Sequence, residues 1–276
     1  MLAAVAAFSA ADVMAQEPAT LRPVTSAYTL EAGSCHIADT YLTPLKYAGW
    51  STAFTYERMQ AMKFDPDRFI MNLKLDVGFC HTSNPADNAN ILAAGIAARW
   101  GMMFRTPSLG PVRTLVGGST GVNLGAFYTS RNGNNPVAAK ASWTVNLTAM
   151  AVCSTTLLGR QVVFRYQPTL PLTGIFFSQD YGELYYEIYL GNRRNLVHGA
   201  WPGNYFNLDN LLTADIRLGA TALRLGYHAD VLSSRINNIT TRLITHGFVI
   251  GISGEWLSLS PGRRPSAESR IVSALY

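Results

Sequence analysis

Charge is scarce in this sequence: 14% of its residues are charged, where a soluble domain carries about a quarter. Cysteine is scarcer. Cys35, Cys80 and Cys153 are an odd, scattered set without CxxC spacing, which excludes a disulfide framework. The five histidines show no ligand spacing either, so no metal and no cofactor is expected. No run is long and apolar enough for a membrane-spanning helix. The longest uncharged stretch, residues 141–159, is interrupted by Ser142, Thr144, Asn146, Thr148, Ser154, Thr155 and Thr156. The net charge of +5 and pI near 9.2 come from dispersed Lys and Arg without a basic stripe, which argues against nucleic acid as a partner. There is also no repeat of 20–50 residues and no helical period.

What is present is alternation. Leu212, Ala214, Ile216 and Leu218 share one face against Thr213, Asp215 and Arg217. After Gly219–Ala220–Thr221 the pattern resumes, with Leu223, Leu225, Tyr227, Ala229 and Val231 against Arg224, Gly226, His228 and Asp230. Period two on both sides of a Gly-containing connection is an antiparallel hairpin. The same period recurs at Trp50–Tyr56, Phe69–Phe79, Leu92–Met102, Trp143–Ala149, Val162–Tyr166, Leu184–Leu190 and Phe248–Trp256, with a Gly-rich run at Val112–Tyr128. Turn signals such as TSNPADN and SRNGNNP separate these runs. Trp50, Tyr56, Phe104, Tyr128, Trp143, Tyr166 and Trp256 fall toward run ends, as in the aromatic girdles of a membrane barrel.

The position of the charges chooses between a soluble sandwich and a barrel. By parity, Lys74, Asp76, Arg99, Arg165, Glu183, Glu187, Asp215, Arg217, Arg224, Asp230 and Glu255 all lie opposite the Leu/Phe face. An outer-membrane barrel needs this, because a Lys or Arg facing lipid at mid-depth costs about 2–4 kcal/mol. The expected fold is therefore all-β: an antiparallel transmembrane β-barrel of about ten strands, 8–12 allowed, in an up-and-down meander. The lumen should be polar, nearly balanced in sign and largely filled, since about eight strands enclose only side chains and a porin needs 16–18. Closing the hairpin at Ala220–Thr221 sets Arg217 against Arg224, an unfavourable like-charge pair. Asp215, diagonal to Arg224, and Glu183 or Glu187 are then expected to offset it within a charge network that includes Arg165 and Asp230.

Residues 1–15 read as a signal peptide, with an apolar stretch from Leu2 to Ala11 and cleavage near Ala15. Residues 16–46 follow as an exported N-terminal segment holding one short strand around Tyr28–Glu31. The barrel is expected over residues 47–259, and 260–276 as a polar C-terminal tail. The address is the bacterial outer membrane, which makes outer-membrane lipid and the barrel assembly machinery the expected partners.

The runs TLLGRQVVFRYQPTLPLTGIFFSQDYGELYYEIYLGN and LVHGAWPGNYFNLDNLLTADIRLGATALRLGYHADVLSSRINNITTRLITHGFVIGI resemble an uncharacterised domain-of-unknown-function family. Its members are exported proteins of gut Gram-negative bacteria expected to form outer-membrane barrels. The resemblance covers most of residues 40–257; it implies the address and the fold and brings no activity with it.

Three stretches could carry chemistry. Gly117-Gly118-Ser119-Thr120-Gly121 matches a nucleophile-elbow pattern, but no helix follows it, so a barrel bend is the better reading. His228, Asp230 and Ser233 or Ser234 are the candidates for a lipid-directed hydrolase, set against a structural lumen histidine. The long connection carrying Arg193, Arg194, His198, Trp201 and Tyr205 is either a packed lid or a binding surface for lipopolysaccharide or another surface ligand. A non-enzymatic role is favoured: surface binding, envelope structure or small-solute passage.

Overall fold

The computed structural model describes residues 20–133, 135–219, 221–257 and 270–275. The expected signal peptide and its cleavage point lie outside the described residues, as do residues 258–269. Ten long strands make a closed wall: β1 (Val24–Asp39), β2 (Lys46–Ala61), β3 (Phe69–Ser83), β4 (Asn90–Arg105), β5 (Val112–Tyr128), β6 (Val137–Leu157), β7 (Arg160–Phe177), β9 (Tyr205–Arg217), β10 (Thr221–Ile236) and β11 (Ile239–Trp256). A short β8 (Val197–Ala200) pairs with the upper part of β7, beside β9, and a single helical turn, α1 (Tyr185–Tyr189), precedes it. Every long strand pairs antiparallel with its chain neighbours, and β1 pairs with β11 to close the circle. All are at least 13 residues long, more than the roughly 9–11 that cross a bilayer at a tilt.

Two strand assignments differ from the sequence reading. The segment expected to hold only a short strand around Tyr28–Glu31 is the full-length β1, and it supplies the closing edge. Its alternation is blurred by Gly33 and by Ser34 and His36 on the outer face. Conversely, Glu183–Leu190 is not a strand; it bends into α1 between Gly182 and Gly191, both at positive φ. β7 also continues through its prolines. Pro171 pairs at a bulge against Val145/Asn146, where a strand tolerates a missing N–H.

The central hairpin turns one residue earlier than expected. Gly219 adopts φ +95°, the left-handed value that a tight turn demands and glycine supplies, and the Leu218 N–H donates to Thr221 O at 2.8 Å. The loop therefore centres on Gly219–Ala220, with Ala220 itself outside the described residues. Arg217 then faces Ala222, and Arg224 faces Asp215 directly. The expected opposition of two arginines does not arise.

The faces sort as parity requires. Leu30, Phe54, Val77, Ile96, Leu124, Leu147, Leu212, Ile250 and Phe248 point outward, with Phe248 76% exposed. Inside, three levels stack along the axis. At the end where the described chain begins and finishes, Met59, Ile70, Met103, Leu115, Met150, Val152 and Val163 form an apolar cup filled by Ala274 and Leu275. The described part of the tail, expected to be polar, is thus a plug. Ile271 bridges to Leu21, Arg105 and Arg113 donate to the carbonyls of Ser273 and Leu275, and Arg270 pairs with Asp67 at 2.6 Å. Charges fill the middle level. At the other end Ile37, Tyr41, Tyr47, Ile91, Phe127 and Ala138 pack beneath Tyr185 of α1.

Candidate functional site

The middle of the lumen holds two linked charge clusters. In the lower one Glu57 accepts from Arg165 at 2.7 Å and from Arg224 at 2.8 Å, while Arg224 also grips Asp215 with two bonds of 2.7 Å. Asn72 Nδ2 donates to Glu57 and Ser253 Oγ to Asp215. Arg165 and Arg224 are each only 2% exposed, so two guanidinium groups and two carboxylates share one desolvated space. Charges in such a space must be matched, and Arg224 meets Asp215 fork to edge, while Arg165 reaches Glu57 through Nη1 and leaves Nη2 without a hydrogen-bond partner among the described residues.

The upper cluster centres on Asp209 of β9. Lys74 and Arg99 face each other across β3 and β4, a like-charge pair. Asp209, reaching across the lumen, lies 3.2 Å from Lys74 Nζ and 2.8 Å from Arg99 Nη2 and offsets both. Asp76 lies 3.6 Å from Lys74 and accepts from Thr55. The ring nitrogens of His228 lie 2.7 Å from Glu31 Oε2 and 3.3 Å from Asp209 Oδ1. Nδ1 makes the hydrogen bond, to Glu31, while Nε2 has no hydrogen-bond partner among the described residues and faces Asp209 only at ion-pair distance. The voids inside and beside these clusters measure only about 20 and 10 Å³.

Above the lattice lies a cavity of about 250 Å³. Its floor is Lys74, Arg99, Asp209 and His228, and its upper wall includes Phe127, Phe176 and Tyr205. The segment between β7 and β9 crosses the mouth above it. Tyr41 Oη donates to Glu183 O at 2.8 Å, Tyr185 Oη accepts from the Ala139 N–H at 2.6 Å, and the Tyr41 and Tyr185 rings meet edge to face. Burial pushes the Tyr41 phenol up to about 12, and burial raises Tyr185 as well.

With this geometry in place, the chain can be set among known proteins. It belongs to the family described as "Protein of unknown function (DUF3316)", whose model matches residues 1–263. The family expected from the resemblance is thus an uncharacterised one. No curated protein matches the chain. Among solved structures it is similar to the translocator domain of the autotransporter NalP from Neisseria meningitidis, at 11% identity over 87% of this chain and 90% of that one, TM-score 0.39. The β domain of the Bordetella autotransporter BrkA is another, at 10% identity over 86% and 100%, TM-score 0.32. Likenesses this loose leave the reading of this family member to its own strand pairing and side chains.

The candidate residues separate into those the fold gathers and those it does not. Arg165, Asp215, Arg224 and Asp230 line the lumen; Arg217 sits near its terminal end, 3.7 Å from Glu255. Glu183 and Glu187 are not lumen residues. Glu183 accepts from the Asp180 N–H and from Asn192 within the lid, and Glu187 accepts from the Leu184 N–H at the start of α1. His228 engages Glu31 and Asp209 rather than a serine. Ser234 lies six residues along the same strand face, roughly 20 Å away at ~3.3 Å per residue, and Ser233 points to the other face. No Ser–His pair is therefore assembled there.

The connection thought to be one long loop is divided. Tyr205 is a buried β9 residue whose Oη lies 2.9 Å from Ser142 and whose ring lies 5.1 Å from Phe176. His198 on β8 lies 3.1 Å from Asn237 Nδ2, and Trp201 is exposed in the turn before β9. Arg193 and Arg194 stand at the exposed surface of the lid. Among the central residues, Glu31, Glu57 and Asp209 escaped the parity list. Glu57 closes a clean alternating run and could have been found; Glu31 and Asp209 lie where the pattern was too weak to extend a strand.

Proposed function

We propose that the protein is an outer-membrane barrel with a closed lumen, exported by its first 15 residues and folded by the barrel assembly machinery. Its role is binding or envelope structure at the cell surface, without solute flux or catalysis. The observation that carries this reading is the sorting of side chains: exposed Leu, Val, Ile and Phe form the outward belt between aromatic rings, while the central charges turn inward and neutralise one another. A wall of this kind is stable only with lipid outside, because barrels must satisfy all backbone groups internally and face the hydrocarbon with apolar side chains. The one long connection, residues 178–204, lies at the end opposite the described termini, and on the usual asymmetry of such barrels the long-loop end is extracellular, so the lid and the exposed Arg193, Arg194 and Trp201 face the outside. Lipopolysaccharide or another surface ligand is the natural partner for that face.

Fractionation tests the address. The full chain should be recovered with the outer membrane, require detergent for extraction and migrate faster on gels unless boiled. Recovery in the soluble periplasmic fraction would remove the reading altogether.

A further inference from the structure

Among the described residues, one carboxylate of the upper cavity has no cation of its own; Lys140, which also lines the cavity, is paired with Asp39 outside it. Around its floor stand Glu31, Asp76, Asp209 and Asp230 against Lys74, Arg99 and the His228 ring. Asp76 and Asp209 are engaged by Lys74, and Glu31 by the His228 ring, whereas Asp230 has no ion pair among the described residues. It faces Asp209 directly across β9 and β10, and its Oδ1 has no hydrogen-bond partner among those residues. One step up the same two strands, Asn207 also keeps its Oδ1 without a donor. Two shielded acceptors without donors are costly, because an unsatisfied buried oxygen loses its hydration without a substitute. Above them the wall turns apolar and aromatic. Tyr205 lies two residues beyond Asn207, ~7 Å along the strand, and its ring stacks obliquely on Phe176.

We propose that this cavity is a binding site for a small organic cation: a primary ammonium group donating to Asp230 and Asn207, with an aromatic or short alkyl body against Phe176 and Tyr205. The volume of about 250 Å³ suits a ligand of this size, below the usual range for drug-sized pockets. The chemistry favours a cation over an anion because Lys74 and Arg99 are already spent on Asp209. It favours an amine over a bare metal ion because the donorless oxygens sit next to an apolar wall. This deepens the surface-binding role proposed above and names its ligand class.

The probe is phenethylamine, with 2-phenylethanol as its neutral counterpart, titrated calorimetrically into the detergent-folded full chain. The amine should bind saturably and at least tenfold more tightly than the alcohol. Asp230→Asn should weaken the amine at least tenfold and leave the alcohol unchanged, whereas Phe176→Ala should weaken both. Because Asp230 has no ion pair among the described residues to lose, the Asn variant should keep its heat-modifiable mobility; if it does not fold, Asn207→Leu carries the same expectation. Equal amine affinity in the parent and the acceptor variant, or no saturable binding at millimolar amine, would overturn the proposal. A proton on Asp230 in place of a ligand would give that second result. Failure in a barrel that still fractionates with the outer membrane removes the ligand and leaves the address standing.

Discussion

Glu57 is where the lumen lattice can be tested most sharply. Its carboxylate is shared by Arg165 and Arg224, and among the described residues it is the one acid within ion-pair range of Arg165. Beyond Glu57, Arg165 reaches only Thr213 Oγ1 at 3.4 Å and Met59 Sδ at 3.5 Å. Glu57→Gln keeps the shape and removes the charge. Arg165 then becomes a buried cation without a counter-ion, and breaking such a pair costs about 3–5 kcal/mol. Arg224 contributes less to the loss because Asp215 still holds it by two bonds. The second-site variants separate these two effects. Arg165→Met in the Glu57→Gln background should restore most of the stability, since both charges have then gone. Arg224→Met in the same background should restore little, because it takes the guanidinium fork from Asp215 and leaves Arg165 uncompensated. The readout is the urea midpoint of the heat-modifiable gel shift for parent, single and double variants. If Glu57→Gln unfolds at the parent's urea concentration, or if both rescues perform equally, the lumen is wet enough to screen these charges and the lattice is not what fills it.

Three other outcomes are expected. Val77→Arg, on the outward face near the middle of β3, should cost about 2–4 kcal/mol in the same urea assay if that face meets lipid, and nothing if it meets water. Removing the chain from Arg270 onward should empty the apolar cup yet leave planar-bilayer conductance low, because the lattice lies above it; porin-sized openings in the truncated protein would mean that the plug alone closes the barrel. The raised Tyr41 phenol makes lid docking alkali-sensitive. The free phenol loses its proton near pH 10 while the docked one holds it to about 12, so its contribution is intact below pH 10 and is lost on the way to pH 12. Tyrosinate absorbance followed with pH should show one late-titrating phenol fewer in Tyr41→Phe than in the parent.

The wall was largely legible in the sequence because a barrel writes its fold into parity. Each strand has one lipid face and one lumen face, and a slip of one residue would exchange them. The number of strands was anticipated for a reason that includes two offsetting differences: β1 was read as a fragment, and Glu183–Leu190 was read as a strand. Both follow from the same physics. A strand with Gly33 inside and Ser34 and His36 outside has little contrast between its faces, while a short amphipathic segment of Leu, Tyr and Glu can alternate by chance and still bend between two glycines into a lid.

Parity could not supply the partners. It names the face on which a charge lies, yet the lumen joins strands that are far apart in sequence: Glu57 of β2 meets Arg165 of β7 and Arg224 of β10, and Asp209 of β9 meets Lys74 and Arg99 of β3 and β4. Those contacts depend on how strands are staggered around the closed wall, a property of the whole circle. Even between adjacent strands the pairing turned on one glycine. Moving the turn from Ala220–Thr221 to Gly219–Ala220 converts an apparent clash of two arginines into the two-bond Arg224–Asp215 pair. The same staggering leaves Asp230 opposite Asp209 with no ion pair among the described residues, and it is that unpaired carboxylate, beside the aromatic wall of the cavity, on which the proposed amine site depends.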